Sequence, residues 1–195
     1  APAQSSINYE TKNEYATDHS KYSVYSGPPN EANNQAWENL IQPTFFAATE
    51  REIIWAHGTV SDSVKLATGG YIAALGVYHE IHCLRQLRLF LYSDVYYPNL
   101  TEANVRYLQG HLDHCLETLR LSLMCNADLS LYTFRWDSEN ATRPLPKSNS
   151  SRKCVEWDRL ELWARKRMVP LTPMLLRTTG KVEEVHLRLR RIIST

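Results

Sequence analysis

The chain has 195 residues, a length that allows one domain with a hydrophobic core. Its 22 basic and 21 acidic residues leave a formal net charge of +1, which gives no electrostatic footprint for binding nucleic acid. No apolar run approaches the roughly 18 residues that a membrane span needs, and no signal peptide is visible.

The first part of the chain predicts an extended arm followed by a short helix. Residues 1–36 are polar and rich in tyrosine, and a Gly-Pro-Pro sequence near their end is typical of a turn. Residues 31–42 place three apolar side chains on one helical face, namely Trp37, Leu40 and Ile41. We expect the arm to lie over the surface of the domain.

Two longer helices are predicted in the centre of the chain. Leucines at three- and four-residue steps predict the first helix from Tyr78 to about Tyr92. Pro98 lies in a break, and the second helix is predicted at residues 102–124 with Thr101 as its N-cap. We expect contacts between leucines to hold the two helices together, namely Leu84, Leu87, Leu116 and Leu119.

The last part of the chain predicts one more helix and a tail. Residues 137–152 have the composition of a loop, and a third helix is predicted at residues 154–166. The pattern of residues 182–193, near the end of the tail, fits either a strand or a helix.

The whole chain therefore predicts one mainly α domain over residues 1–195. Its two central helices would form a bundle-like metal site, surrounded by irregular loops. The predicted parts are an extended N-terminal arm at 1–36, a core at 43–166 and a tail of open role at 167–195.

One ten-residue pattern occurs in both central helices. The sequence H-x-x-H-C-L-x-x-L-R stands at residues 79–88 and again at residues 111–120. On a helix, residues three and four apart share a face, with Cβ atoms roughly 5–6 Å apart. The residues that the two motifs place on such faces are His79, His82 and Cys83, and His111, His114 and Cys115.

Antiparallel packing of the two helices would bring four imidazoles together. Without a metal ion, such a cluster would leave several ring nitrogens competing for hydrogen-bond partners. The predicted metal ligands are therefore His79, His82, His111 and His114.

Copper is the predicted metal. Imidazole suits zinc, copper, iron and nickel, but zinc modules pair their cysteines at a different spacing, about two to four residues apart. Nitrogen ligands alone favour copper by the affinity order of divalent ions, and copper with an open position carries out oxygen chemistry.

A competing interpretation uses the sequence His111-Leu112-Asp113. An H-x-D sequence opens the site of many non-haem iron oxygenases, but this interpretation leaves the first motif unexplained. In a copper site, Asp113 would instead orient a ligand histidine. Tyr78 is a second candidate for a supporting or proton-handling role.

The three N-x-S/T sequences indicate passage through the secretory lumen. They begin at Asn99, Asn140 and Asn149, and the last two lie in the predicted polar loop. All three are predicted glycosylation sites.

Four cysteines in an oxidising compartment permit two disulfides. We predict one between Cys125 and Cys154, which would tie the end of the second helix to the third. We predict another between Cys83 and Cys115, because equivalent positions on facing helices can meet.

The doubled motif resembles the mark of the UstYa-type proteins of fungal secondary-metabolite clusters, namely two H-x-x-H-C sequences. They stand here at residues 79–83 and 111–115. Segments with a similar resemblance lie at 27–29, 36–37, 69–71, 123–128 and 154–158. The resemblance spans about residues 22–163, and the tail after Pro170 shows none.

This resemblance implies oxidative tailoring of natural products. Members of the family are linked to oxidative macrocyclisation of ribosomal peptides, to hydroxylation and to chlorination, with copper dependence in some. Members usually begin with one transmembrane helix, so we expect a lumenal protein with an N-terminal membrane anchor that this sequence does not include.

Two functions follow as alternatives. The first is a copper-dependent oxidase, oxygenase or halogenase that uses molecular oxygen on a C–H or phenol group of a peptide or small molecule. A second copy or a paired family member is a further expected partner. The second function is a non-catalytic lumenal protein, held by disulfides and a structural metal, that assists another oxidase. An open coordination position would favour the first, and a closed shell the second.

Overall fold

Six helices and nine strands make up the described part of the chain. A computed structural model describes residues 2–13, 21–148 and 150–187. The helices are α1 (Glu31–Ile41), α2 (Glu50–Trp55), α3 (Gly76–Leu91), α4 (Ser93–Tyr96), α5 (Glu102–Asn126) and α6 (Trp157–Arg167), with short 3-10 turns at Gln4–Ser6, Gln42–Thr44 and Val60–Asp62. The strands are β1 (Tyr9–Lys12), β2 (Phe45–Ala48), β3 (Lys65–Leu66), β4 (Tyr71–Ala74), β5 (Thr133–Arg135), β6 (Leu145–Lys147), β7 (Arg152–Val155), β8 (Met174–Leu176) and β9 (Val182–Glu184).

Helices α3 and α5 pack against each other and carry the two histidine motifs. Their bounds confirm the predicted pair of central helices to within about two residues. The side chain of Thr101 caps α5 by accepting a hydrogen bond of 3.2 Å from the backbone N–H of Asn104. Leu108 and Leu112 on the inner face of α5 are buried together with Tyr97, and Leu87 of α3 packs against them.

The predicted leucine contacts of the two helices are only partly present. Leu84 and Leu116 are 48% and 54% exposed, and Leu91 is 73% exposed. These residues lie on a side of the helix pair that no further layer covers among the described residues. Cys83 and Cys115, with no exposed surface, fill the space between the helices instead.

A five-stranded antiparallel sheet that the sequence did not predict sets the start of α3. Its strand order is β2-β4-β3-β8-β9. Phe45 pairs with Ala74, and Ala48 pairs with Tyr71. Leu75 continues the extended backbone of β4, and α3 begins at Gly76. The first motif is therefore attached directly to the sheet.

Residues 171–187 of the tail form a β-hairpin, so residues 182–187 of the undecided segment are extended, and residues 188–193 of that segment lie outside the described residues. In the tail hairpin, residues 171–187, Val182 pairs with Leu176 and Glu184 with Met174. Gly180 takes a φ of +82° in the turn, a left-handed conformation that suits glycine. The backbone N–H of Leu187 donates to the carbonyl of Leu171 at 2.9 Å, which extends the same register.

Two predicted segments differ from the structure. Helix α6 begins at Trp157, because Cys154 belongs to β7, which pairs with β1 in the arm. The predicted loop at 137–152 contains β6, which pairs with β5. These strands are three or four residues long, too short to give a periodic signal. Among the described residues no helix is both long enough and apolar enough to cross a membrane.

An ion pair ties the end of α6 to α2 and the sheet. Both terminal nitrogens of Arg167 donate to the carboxylate of Glu52 at 2.6 Å, and one also donates to the carbonyl of Ala47 at 2.7 Å. The guanidinium lies 4.7 Å from the ring centre of Trp163 and 5.0 Å from that of Phe46. Hydrogen bonds from Arg167, with further ones from Thr49, lower the pKa of Glu52 from 4.5 to about 2.

Replacing Glu52 with Gln should lower the free energy of unfolding at pH 7 by about 1–2 kcal/mol, because the charge-assisted bonds are lost from a pair that is partly solvated. The pKa of Glu52 is lower in the folded chain than in the unfolded one. Its contribution is therefore complete above about pH 4.5 and lost as the pH falls towards about 2. Urea unfolding at several pH values should show the difference between the two proteins shrinking across that window. A constant difference would contradict this account.

Candidate metal centre

Four imidazoles stand around a common centre on the edge of the α3–α5 pair. The ring centroids of His79 and His114 are 5.5 Å apart, and those of His82 and His111 are 6.0 Å apart. Within each motif the two centroids are separated by 6.5 Å. The cross-helix pairs follow from antiparallel packing, which sets the first histidine of one motif beside the second of the other. The predicted four-histidine cluster is therefore present.

The four imidazoles differ in exposure. His79 and His114 are exposed, whereas His82 and His111 are half-buried. Burial lowers the pKa of His111, and the neighbouring His114 and His79 lower it further. A lower pKa favours the neutral imidazole, which keeps a nitrogen lone pair free for a metal ion.

The donor atoms suit a metal, although the rings are spread wider than one ion would hold them. Two imidazoles bound at about 2.0–2.1 Å to one tetrahedral ion would have centroids roughly 5 Å apart. Among the residues that the structure describes, no three histidine, cysteine, aspartate or glutamate side chains converge as a metal-binding group. Loading one ion would require the rings to turn inward, which the two exposed histidines leave space for.

Two cysteines lie beneath the histidines. Cys83 and Cys115 are fully buried, and their thiols are in hydrogen-bond contact. Burial, and then the neighbouring thiol of Cys83, raise the pKa of Cys115, so it is a neutral thiol rather than a thiolate ligand. The sulfur of Cys115 lies 4.0 Å from Nε2 of His111.

The other two cysteines lie at the end of α5 and in β7. Cys125 is exposed in the last turn, and Cys154 is half-buried in β7. Cys154 borders a groove together with Leu123 and Asn126, which are close to Cys125 in sequence. All four cysteines are free thiols in this structure, and the two disulfides stay predictions.

Asp113 lies apart from the imidazole cluster. Residues two apart on a helix do not face each other, so Asp113 and His111 point to different sides of α5. The Asp113 side chain is exposed, and within the described residues it makes no hydrogen bond or ion pair. No contact of Asp113 supports either the iron interpretation or a role in orienting a ligand histidine.

Tyr78 is directed into the core rather than towards the histidines. It has no exposed surface, and its ring packs against Trp157 of α6 with centroids 5.7 Å apart. Among the residues that the structure describes, its hydroxyl has no hydrogen-bond partner. Burial, with a smaller effect of Glu161, raises the pKa of Tyr78 to about 12. A phenol held protonated in this way is poorly suited to proton transfer near neutral pH.

A cavity of about 130 Å³ opens beside the first motif. His79 and His82 form one end of it, and the other lining residues are Ile41, Thr44, Phe45, Ala74, Leu171 and Leu187. Of these six residues only Ile41 stood out in the sequence, as part of an apolar helix face, because the six come from four separate segments. Alternating apolar residues in the tail could have indicated the strand, but no local signal indicates a cavity.

Two predicted glycosylation sites can be placed. Asn99 and Asn140 are both exposed. Asn149 lies outside the described residues.

The site is thus an antiparallel helix pair with four imidazoles on its rim, and two H-x-x-H-C motifs supply those imidazoles. Residues 1–167 match the family described as mycotoxin biosynthesis protein UstYa. The chain belongs to this UstYa family, which confirms the resemblance seen in the motifs.

Several fungal proteins are similar to this chain. The UstYa family oxidase phomYc of Diaporthe leptostromiformis is 30% identical over 149 residues, which cover 73% of this chain and 58% of phomYc. The UstYa family oxidase aprY of Aspergillus flavus is 29% identical over 153 residues, 70% of this chain and 44% of aprY. The transacylase cctO of Talaromyces islandicus is 27% identical over 156 residues, 71% of this chain and 50% of cctO.

The chain thus spans about half the length of these relatives. No solved structure matches it.

The two predicted disulfides can be tested by alkylation without a reducing agent. Because Cys83 and Cys115 are buried, they will resist alkylation in the folded protein whether or not they are bridged, so the test requires denatured protein. We expect all four cysteines to stay unmodified in guanidinium chloride and to react after reduction. The Cys125–Cys154 bridge, which closes a loop of roughly 30 residues, should stabilise by about 3–4 kcal/mol. Alkylation of Cys83 in the unreduced, denatured protein would disprove the Cys83–Cys115 bridge.

Replacing Tyr78 with Phe should leave the free energy of unfolding unchanged or raise it by up to about 1 kcal/mol, because it removes a buried hydroxyl that has no partner. The metal content should stay the same, since the ring points away from the imidazoles. Thermal unfolding and metal analysis measure both quantities. A loss of metal in a stably folded variant would restore Tyr78 as a supporting residue.

Proposed function

We propose that this chain is a copper-dependent oxidase of fungal secondary-metabolite biosynthesis. It would use molecular oxygen to oxidise, hydroxylate or halogenate a C–H or phenol group in a peptide or small molecule. The observation that carries the proposal is the joining of two H-x-x-H pairs into one four-imidazole cluster beside an apolar cavity. The names of the relatives phomYc and aprY, both UstYa family oxidases, support it.

The four histidines would hold the metal. The nearby cysteines and Asp113 would not compete with them as ligands. A bound copper ion would supply one-electron chemistry with dioxygen. The neutral His111 offers a lone pair without first losing a proton. The buried sulfurs of Cys83 and Cys115 would leave coordination to nitrogen, because burial raises the pKa of the Cys115 thiol and because the predicted disulfide would remove both thiols. Asp113, exposed and without contacts, gives no support to the iron alternative.

A redox reaction has to be measured directly, since the relative cctO is named a transacylase. The non-catalytic alternative also predicts bound metal, but no oxygen consumption. Copper content alone therefore does not separate an oxidase from an assisting protein.

Replacing any one of His79, His82, His111 or His114 with Ala should reduce the copper content of the dialysed protein and abolish oxygen uptake with ascorbate as reductant. Each imidazole supplies one nitrogen, so losing one changes both affinity and redox potential. Metal analysis, electron-spin resonance and an oxygen electrode give the three measurements. Circular dichroism should show that the helices remain, because Leu108 and Leu112 still hold them together.

Two control variants make the result specific. His57→Asn changes an exposed histidine outside the cluster and should keep full copper, with Asn tolerating the left-handed φ of +61° at this position. Asp113→Asn should lose far less than the about 10–100-fold that an orienting carboxylate contributes. If Asp113→Asn is inactive while His79→Ala and His82→Ala keep full activity, the assignment of copper to the four histidines is wrong. Full copper without oxygen uptake would favour the assisting role.

We propose that the protein lies in the lumen of the secretory pathway. The exposure of Asn99 and Asn140 supports this placement, because a sequon must be accessible to be glycosylated. A lumenal position would also allow the predicted disulfides to form.

Expression in a eukaryotic secretory host should give a glycosylated protein whose apparent mass falls after glycosidase treatment. We expect glycans at Asn140 and Asn149, and a lower occupancy at Asn99, which follows Pro98 near the motif helices. Replacing each asparagine with Gln in turn and comparing the masses assigns the sites. An unchanged mass after treatment would contradict the lumenal placement.

A further inference from the structure

We propose that the cavity beside His79 and His82 receives an apolar group of the substrate, about the size of a benzene ring or a branched aliphatic side chain. We infer that the tail hairpin selects this group. The inference rests on the proposed oxidase function for one point, that the bound group is at or next to the atoms that react.

The walls of the cavity favour an apolar group. Five of its lining side chains are hydrocarbon, and they are Ile41, Phe45, Ala74, Leu171 and Leu187. The hydroxyl of Thr44 donates to the carbonyl of Ile41 at 2.5 Å, so its proton is already used. A charged or amide group would lose its hydrogen bonds to water and find few replacements here. The two imidazoles are the remaining polar lining groups.

The volume of the cavity sets the size of the group. An engineered protein cavity of about 150 Å³ lined by aliphatic and aromatic side chains binds benzene. The cavity of about 130 Å³ is close to that size, so one ring or one branched aliphatic side chain fills it.

The tail hairpin supplies one wall through a pair of facing leucines. The hydrogen bond from Leu187 to Leu171 places these residues opposite each other, and opposite residues of an antiparallel pair share a face. Buried Pro173 and Leu175 lie on the same face, because alternate residues of a strand do. The pairing that buries the hairpin therefore also points both leucines at the cavity.

The opposite wall comes from the sheet, where Phe45 and Ala74 are cross-strand partners. The family match covers residues 1–167, so the sheet wall and the histidines lie within it and the hairpin lies beyond it. Selection of the substrate group is thus assigned to a segment separate from the metal ligands.

The test uses benzene as the probe and the purified full chain without added metal. Titration is followed by the NMR signals of isotope-labelled leucine and isoleucine methyl groups. We expect saturable shifts at Ile41, Leu171 and Leu187, and none at Leu123, which is 73% exposed. Leu187→Trp should fill the cavity and weaken benzene binding by about tenfold or more. Leu187→Ala should enlarge it and admit naphthalene, which the parent protein excludes.

Two further variants distinguish a filled cavity from a misfolded protein. Ala74→Leu fills the cavity from the sheet side and should weaken benzene binding as Leu187→Trp does. Met174→Trp is the matched control, because this residue is 43% exposed on the same hairpin and does not line the cavity. Its benzene affinity should equal that of the parent. Unselective methyl shifts, or equal affinity in Leu187→Trp and Ala74→Leu, would overturn the proposal.

The outcome does not depend on the oxidase assignment. Benzene binding with no copper binding or oxygen uptake would leave the apolar site in place and remove the proposed function. Copper binding and oxygen uptake without benzene binding would support the proposed function and remove the apolar site.

Discussion

The contact between α3 and α5 is the constraint on which the candidate site depends. Cys83 and Cys115 fill the space between the two antiparallel helices, while Leu108 and Leu112 pack nearby. Each cysteine directly follows a histidine pair, so burying it leaves both imidazoles of that motif at the rim. The packing that stabilises the helix pair is therefore also what presents four nitrogen donors on one open side.

The two motifs are nearly identical in sequence, but the fold gives them different surroundings. His79 and His82 follow the strand β4 and border the cavity, whereas the pair on α5 does not line it. Among the described residues, the first pair therefore borders both the imidazole cluster and the cavity, and the second pair borders only the cluster. This asymmetry comes from the sheet, and nothing within the repeated ten residues encodes it.

The helices and the histidine cluster could be predicted because their signals are local. Spacing of three and four residues fixes a helical face, and Thr101 marks the start of α5. The exposed Leu84 and Leu116 were misjudged since spacing shows which residues share a face, but not whether another layer covers it. The sheet was missed because β3 has two residues and pairs with β8 from the far end of the chain. Such pairing leaves no periodic pattern in either segment.

The tail hairpin is continuous in sequence, and within the described residues its strand pairing with the rest of the sheet is between β8 and β3. The residues before it are tied to β2, because Met168 pairs with Phe46 and the backbone N–H of Val169 donates to the carbonyl of Phe45 at 3.0 Å. We therefore expect residues 171–187 to be exchangeable as a unit. Chimaeras that join residues 1–170 of this chain to the corresponding segments of other proteins would vary one wall of the cavity on an unchanged helix pair. The architecture thus separates the segments that carry the four imidazoles from a segment that can be redesigned.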